Sequence, residues 1–306
     1  MDGKLSKWIT YQKERFPLVR YSLLVSAFSA SGLSLSFLLT GMRTPLTLPM
    51  FIVAFTVTLM LFFQLRVADE HKDYEYDSEH HPERPVPRGL VSLSELRILG
   101  IGAGVLQLLA VSSLSAKLLL PLLLAWIYML LMTKEFFIGE WLRRHPIIYM
   151  VTHMCILFFT DLFITSCHFM VSNIEPPLTL LYFLATSFSL GTVIELGRKI
   201  RSPLDETTGT DTYSSLWGKK TAVRAWLAAM TVSGVLAIAT AFQIHSGPLA
   251  VLVLSFSLFS CWLAGRRFLS VSTPAAAKRL DTLSGAWTLT TYLMIGLIPL
   301  LVTQFS

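Results

Sequence analysis

The sequence alternates between long apolar runs and short polar segments from about residue 19 to its C-terminal end. Runs of roughly 20 apolar residues match a hydrocarbon core about 30 Å thick. Because lipid cannot hydrogen-bond an exposed backbone, runs of this length are expected to form helices. We count nine, at approximately 19–40, 46–66, 95–114, 116–133, 147–168, 177–196, 221–243, 247–264 and 284–303. The sequence therefore predicts an all-α polytopic membrane protein.

Basic residues test this number of spans, because cytoplasmic loops carry an excess of Lys and Arg. With nine spans, 23 of the 25 basic residues fall on one side of the membrane, and only Arg43 and Lys117 fall on the other. We therefore predict that the N-terminus and the charged loops face the cytoplasm, in a bacterial inner membrane. The net charge of +6 then reflects topology, and no nucleic-acid partner is needed to explain it.

The N-terminal stretch to Tyr21 holds five basic residues and no small-residue cleavage site, so we expect it not to be a removable signal peptide. Trp8, Ile9 and Phe16 lie among these charges, which fits either a short helix in the membrane interface or a disordered basic tail. Cysteines occur only within predicted spans and without close pairing, which argues against structural disulfides and zinc.

The predicted cytoplasmic connections after spans 2 and 6 are the longest, and each begins with a carboxylate, Asp69 or Glu195. This placement suggests one four-helix unit used twice, with span 9 added. We expect the two loops, at about 67–94 and 196–220, to converge on the mouth of a central cavity and to cap it.

The first loop begins with "DEHKDYEYD", in which Asp69, Asp73 and Asp77 recur every four residues. On a helix this spacing places the three carboxylates in one stripe. They are tolerable if solvated, as at an ordinary acidic helix end, or if a cation such as Mg²⁺ lies among them. The next stretch, "PERPVPRG", presents Arg84 and Arg88 on a stiff, proline-rich segment. Carboxylates beside guanidinium groups favour a polyanion site that uses metal and Arg together.

These two stretches resemble the first signature of the UbiA superfamily of intramembrane prenyltransferases, NDxxDxxxD followed by an RPxPxG-like segment. Nine spans and the position of both loops agree with that family, so the resemblance covers nearly the whole chain as a single domain. It implies metal binding by Asp73 and Asp77, with Asp69 in the place of the family's asparagine. Arg84 matches the arginine of RPxP, and Lys134 matches a basic residue near the diphosphate.

The second loop, "ELGRKIRSPLDETTGTDTYSSLWG", departs from the aspartate-rich pattern of the family. Glu195 can stand for the first carboxylate, but Lys199 and Arg201 occupy the region where further carboxylates are usual. Asp205 fits the family's closing segment, and Asp211 follows it. Our hypothesis is one principal Mg²⁺ on the first loop and a basic clamp of Lys199 and Arg201 on the second.

The resemblance implies Mg²⁺-dependent transfer of a prenyl group from an isoprenyl diphosphate to a lipophilic acceptor in the membrane, such as an aromatic or quinone precursor. The implied metal ligands are Asp69, Asp73, Asp77, Glu195 and Asp205. Lys72, Arg84, Lys134, Lys199 and Arg201 are the candidate diphosphate ligands, since their positive charge would stabilise the departing diphosphate. The candidate catalytic residues are Asp73, Asp77, Lys134 and Asp161.

Span 5 contains Asp161 between His153 and His168, on one helical face. An intramembrane carboxylate is costly and often functional, so Asp161 is a candidate for orienting the acceptor, although a hydrogen-bonded helix contact would also explain it. The two histidines fit packing or interfacial positions better than catalytic ones.

Other function classes remain open at this point. The altered second loop fits a catalytically altered relative that binds prenyl lipids. A terpene cyclase and a polyprenyl-phosphate glycosyl-type transferase are further activities that the superfamily implies. A transporter fits less well, because no pair of Gly/Pro-broken spans occurs at matching positions.

Overall fold

The computed structural model describes residues 2–206 and 212–305, which in that part of the chain form helices and connecting turns. The α-helices are α1 (Asp2–Arg15), α2 (Leu18–Leu39), α3 (Leu48–Lys72), α4 (Tyr74–His80), α5 (Leu93–Leu114), α6 (Leu119–Thr133), α7 (Gly139–Arg143), α8 (Pro146–Phe169), α9 (Leu180–Arg198), α10 (Tyr213–Trp217), α11 (Lys219–Gln243), α12 (Gly247–Ser270), α13 (Pro274–Ile295) and α14 (Leu297–Phe305). Short 3₁₀ turns occupy Ala116–Leu118 and Glu135–Phe137.

Nine of the helical stretches in the described residues are long and apolar enough to cross a membrane, so the predicted fold class is confirmed. They are α2, α3, α5, α6 with the turn before it, α8, α9, α11, α12, and α13 continued by α14. The prediction was wrong about the connection at 266–279, because α12 ends at Ser270 and α13 already begins at Pro274. The charged residues in the first turns of α13 lower the local hydropathy, so the apolar pattern indicated only the later part of this helix.

Small residues let the spans approach one another closely. Without a hydrophobic driving force between helices in lipid, such close packing is what holds a helical bundle together. Gly191 in α9 illustrates it, because a Cβ there would lie 2.7 Å from Leu157 of α8. Large apolar side chains such as Ile101, Leu252 and Phe256 instead point outward and are exposed, as expected of a surface facing lipid.

The helix α1 packs against the first charged loop rather than lying free. Tyr11 is buried in a small core with Val67 and Val86, and Phe16 is buried in a second one. Arg88 Nη2 lies 3.0 Å from Glu14 Oε1, and a further ion pair links α1 to the start of α5. The N-terminal segment is therefore a helix, and it covers the turn that follows the carboxylate stripe.

Candidate functional site

A cavity of about 810 Å³ lies between the two proposed four-helix units. Its walls come from the ends of α3, α6 and α9, from the start of α8, and from α1, α4 and α10. The charged lining consists of seven basic and five acidic side chains, namely Arg15, Arg66, Lys72, Arg84, Arg143, Arg198, Lys199, Asp69, Asp73, Asp77, Glu135 and Glu195. Apolar side chains, among them Leu65, Met132, Met150, Met154 and Ile156, complete the wall.

The carboxylate stripe predicted from the four-residue spacing is present. The backbone N–H of Asp73 donates to Asp69 O, and that of Asp77 donates to Asp73 O, each at 2.8 Å. The helical hydrogen bonding thus continues from α3 into α4 although Asp73 itself interrupts the helix. All three side chains line the cavity.

Asp77 is the most buried of the three and is paired with two arginines. Its carboxylate accepts a hydrogen bond from Arg84 and lies 3.7 Å from Arg15 Nη2. Arg15 Nε also donates to Glu70 Oε1 at 2.5 Å, and the Glu70 side chain is only 1% exposed. We call this side of the cavity the stripe wall; it comprises the lining residues Asp69, Asp73, Asp77, Arg15, Arg66 and Arg84, and Glu70 lies buried behind them.

Asp69 and Asp73 make fewer ion pairs with basic side chains than Asp77 does. Asp69 Oδ2 lies 3.6 Å from Arg66, and its side chain is 48% exposed. In the described part of the chain, no cation lies within ion-pair distance of the Asp73 carboxylate. Partial burial raises the pKa of Asp73, Lys72 opposes this rise, and the charge of Asp77 adds to it. These two side chains are therefore the oxygen ligands most available to a metal ion.

A second group, the Glu135 cluster, comprises Glu135, Lys72, Arg143 and Tyr149. Lys72 Nζ lies 2.7 Å from Glu135 Oε1 and donates to Tyr149 Oη at 2.5 Å, while Arg143 Nη1 donates to Glu135 Oε2 at 3.2 Å. Burial would raise the pKa of Glu135, but the hydrogen bond and charge of Lys72, aided by Arg143, outweigh it and lower that pKa. The carboxylate is thus held ionised between two cations.

The backbone around Glu135 is unusual. Glu135, Phe136 and Phe137 have φ values of 47°, 54° and 61°, in the left-handed region that side chains disfavour. The turn directs Glu135 inward, so close to Gly139 that a Cβ there would lie 2.0 Å from Glu135 Oε2. Only glycine at position 139 therefore leaves room for this carboxylate.

The third group, the Glu195 cluster, comprises Glu195, Arg198 and Lys199 at the end of α9. Glu195 is buried; its Oε1 lies 2.9 Å from Lys199 Nζ, and its Oε2 accepts a hydrogen bond from Arg198 Nη2 at 2.6 Å. Lys199 Nζ also lies 5.6 Å from the ring centroid of Tyr213. Both oxygens of the only carboxylate supplied by α9 to the cavity are thus already bound by cations.

Several residues implied by the resemblance do not line this cavity. Lys134 and Arg201 are exposed outside it. Asp205 is exposed as well, where its Oδ2 accepts from Ser202 Oγ at 3.1 Å. Asp161 is buried away from the cavity, and its carboxylate accepts a hydrogen bond from the Tyr292 hydroxyl. Asp211 lies outside the described residues.

The two span-5 histidines occupy different surroundings. His168 is buried near the opposite end of α8, where its Nε2 lies 3.0 Å from Thr44 O. His153 lines the cavity and stacks on Tyr149, with ring centroids 4.0 Å apart and an angle of 9° between the planes. Of the residues considered in span 5, His153 and not Asp161 is the one that reaches the cavity.

Sequence reasoning assigned no site role to Arg15, Glu135, Arg143, Tyr149 or Arg198, all of which line the cavity. The position of Arg198 could have been predicted, because it lies three residues after Glu195 on the same helix and therefore on the same face. For the others the sequence offers no comparable signal, because their positions depend on how α1 and the turn after α6 pack.

Among the residues that the structure describes, nine apolar helices with a cavity at their ends, lined by a carboxylate stripe and by clustered cations, define an integral membrane protein with a charged site. The chain belongs to the UbiA prenyltransferase family, whose sequence profile matches residues 20–298. No curated protein matches the sequence significantly.

Solved structures show the same fold at low sequence identity. The apo UbiA homologue from Aeropyrum pernix K1 has a TM-score of 0.68 and 17% identity, covering 91% of this chain and 98% of its own. A structure of digeranylgeranylglyceryl phosphate synthase has a TM-score of 0.61 and 14% identity, covering 95% of this chain and 98% of its own. The Archaeoglobus fulgidus UbiA homologue bound to GPP and Mg²⁺ has a TM-score of 0.59 and 14% identity, covering 93% and 99%.

Proposed function

We propose that the protein transfers a prenyl group from an isoprenyl diphosphate to a lipophilic acceptor within the membrane. The observation that carries this proposal is that the stripe of Asp69, Asp73 and Asp77 lines the same cavity as the cations of the Glu135 and Glu195 clusters. Family membership supports the reaction class, and the relative from Archaeoglobus fulgidus is a structure bound to GPP and Mg²⁺.

The residues present fit Mg²⁺ on the stripe wall. Mg²⁺ is commonly held by one or two carboxylates together with substrate phosphates and water. Asp69 and Asp73 can supply these carboxylates. The Asp69 side chain is about half exposed, and Asp73 has no cation at ion-pair distance among the described residues. The described residues contain no preformed group of three acidic, histidine or cysteine side chains for a metal, which agrees with a site completed by the diphosphate. Mg²⁺ bound there would act as a Lewis acid on the departing diphosphate.

The chain's own cations complete the diphosphate site. As the allylic C–O bond breaks, the diphosphate leaves with the electron pair and gains negative charge. Arg84, Lys72 and Lys199 line the cavity around this position, and preorganised charge of this kind is usually the largest catalytic contribution. We place Lys134, Arg201 and Asp205 outside the site, and we assign Asp161 to helix packing.

The apolar part of the cavity suits the prenyl chain and the acceptor. Met132, Met150 and Met154 offer flexible apolar contacts; the first two are buried and the third is partly buried, so this part of the wall would shield the allylic cation from water. Tyr149 and His153 form a stacked aromatic pair at the same wall, with Lys72 Nζ 5.0 Å from the Tyr149 ring centroid, and this aromatic wall favours an aromatic or quinone-precursor acceptor. The acceptor forms the new bond and gives up a proton.

We further propose that the chain is a single transmembrane domain capped by the loops at 67–94 and 196–220, of which 207–211 lie outside the described residues, with the cavity mouth facing the cytoplasm of a bacterial cell. Segments containing most of the basic residues surround that mouth. The positive-inside tendency then gives the orientation.

The test is turnover by the purified protein with Mg²⁺, a panel of prenyl diphosphates and a membrane-lipid extract, scored by diphosphate release and by prenylated lipid products. Asp73→Asn should abolish Mg²⁺-dependent turnover while the protein stays folded in detergent. Asp205→Asn is the matched control and should retain activity, because that carboxylate lies outside the cavity. Release of diphosphate with a cyclic hydrocarbon product, or lipid binding without turnover, would refute the transferase proposal.

A further inference from the structure

The Glu195 cluster lies where the family resemblance implies a second carboxylate-rich metal site. Here one buried carboxylate has both oxygens bound by basic side chains of the same helix, Lys199 at 2.9 Å and Arg198 at 2.6 Å. Asp205, the other carboxylate implied at this site, is exposed outside the cavity. A metal ion here would have to displace two cations to reach a single carboxylate.

The local backbone keeps these cations in place. Arg198 is the last residue of α9, and Lys199 caps the helix, so their three- and four-residue spacing from Glu195 places all three side chains on one face. Tyr213 N donates to Lys199 O at 3.0 Å and thereby fastens the start of α10 to this helix end. Arg198 is still 58% exposed and Lys199 32% exposed, so both retain surface toward the cavity.

We propose that Arg198 and Lys199 take the place of a second metal ion and bind the diphosphate directly, so that the site uses a single divalent cation. This proposal rests on the proposed function, because it assigns how the same diphosphate is held. Arg198 can contact two phosphate oxygens at once through its planar guanidinium group, whereas Lys199 supplies a compact charge.

The charges of the cavity support a single metal ion. The stripe residues that line the cavity carry no net charge, since three carboxylates accompany three guanidinium groups. The Glu135 and Glu195 clusters each carry one net positive charge, because each has two cations for one carboxylate. One divalent cation at the stripe wall brings the total to four positive charges. Because a prenyl diphosphate carries about three negative charges near neutral pH, one metal ion already offsets its charge, and a second would add two more positive charges to a cavity that is already positive.

The first measurement is metal stoichiometry. The purified protein is titrated with Mn²⁺ in the presence of an unreactive geranyl thiolodiphosphate, and bound Mn²⁺ is counted by electron paramagnetic resonance. We expect one Mn²⁺ for each chain with analogue bound. Two Mn²⁺ for each bound analogue would overturn the single-metal proposal. Failure of the analogue to bind at all would instead refute the proposed function.

The second measurement is analogue affinity in charge-neutralising variants. Arg198→Gln and Lys199→Gln should each weaken analogue binding by about 10- to 100-fold, the effect of losing one charge-assisted contact. Arg201→Gln is the matched control, since this arginine is exposed outside the cavity and should leave the affinity unchanged. Unchanged affinity in both test variants, with unfolding midpoints like that of the parent, would overturn the proposal.

A gain-of-site variant tests the same idea in the opposite direction. Lys199→Asp places a second carboxylate one turn after Glu195 and removes one of its cations. We expect the number of bound Mn²⁺ ions to rise from one to two in this variant. A count that stays at one, while analogue affinity remains that of the parent, would show that Lys199 does not stand where a metal would bind.

Discussion

The ion pair between Arg15 and Glu70 makes the sharpest quantitative prediction, because it joins the N-terminal helix to the stripe wall. Arg15 Nε donates to Glu70 Oε1 at 2.5 Å, and the Arg15 and Glu70 side chains are 16% and 1% exposed. Glu70 has no other ion pair in the described residues. Burial opposes the charged form of Arg15, but the hydrogen bond and charge of Glu70 outweigh it and raise the pKa of Arg15.

The magnitude follows from this burial. Arg15→Met leaves a buried carboxylate with no compensating cation, which costs about 3–5 kcal/mol when a pair is fully buried. Since the Arg15 side chain keeps some solvent contact, we expect Arg15→Met to lower the unfolding free energy by about 3 kcal/mol, the lower end of that range. Glu70→Gln should lower the unfolding free energy by less, because the amide oxygen of glutamine can still accept a hydrogen bond from Arg15. The coupling energy in the double-mutant cycle should be about 1.5–3 kcal/mol, or about 10- to 150-fold in the unfolding equilibrium constant.

The assay is reversible unfolding in mixed micelles of dodecyl maltoside and sodium dodecyl sulfate, followed by tryptophan fluorescence. Lys13→Met is the control, since it removes a positive charge from the same helix where the side chain is exposed and has no ion pair among the described residues. A coupling energy below about 0.5 kcal/mol, the size expected of a surface pair, would refute the reasoning.

Two further predictions concern the turn after α6 and the sidedness of the chain. Gly139→Ala should push the Glu135 carboxylate away from its cations and lower prenyl transfer by at least about tenfold, while the unfolding midpoint changes little because a flexible side chain absorbs the clash. Gly285→Ala is the control, since a Cβ there meets nothing within 4 Å; equal activity of the two variants would contradict the prediction. An impermeant thiol reagent applied to intact cells should label a cysteine at Glu175 and not one at Glu79, whereas inside-out vesicles should give the reverse; the opposite pattern would overturn the orientation.

The spans were predictable because their signal is local and physical. A helix that faces lipid must be apolar over most of its length, so hydropathy found all nine stretches in the described residues. The boundaries failed where a helix continues past the apolar core, as α3 does to Lys72 and as α13 does from Pro274. The extension of α3 is what makes Asp69 and Lys72 part of a helix whose end enters the cavity.

The stripe of Asp69, Asp73 and Asp77 was predictable for a similar reason, since a four-residue spacing fixes one face wherever helical hydrogen bonding continues. The partners of the stripe were not predictable. Arg15 reaches Asp77 only because α1 folds back over the loop, and the residue lies before the segment matched by the family profile. Sequence spacing does not encode a contact that depends on this tertiary packing.

The choice between neighbouring charged residues depends on where a helix ends, and this explains the differences at the two remaining clusters. The helix α9 ends at Arg198, so Arg198 and Lys199 keep the helical direction of Glu195, while Arg201 lies beyond the end and turns outward. After α6, the left-handed turn directs Glu135 inward, and its neighbour Lys134 is exposed. At both helix ends, a shift of one to three positions along the chain decides which charged side chain faces the cavity. The clamp that we propose therefore pairs Lys199 with Arg198, whereas the sequence alone suggested Lys199 with Arg201.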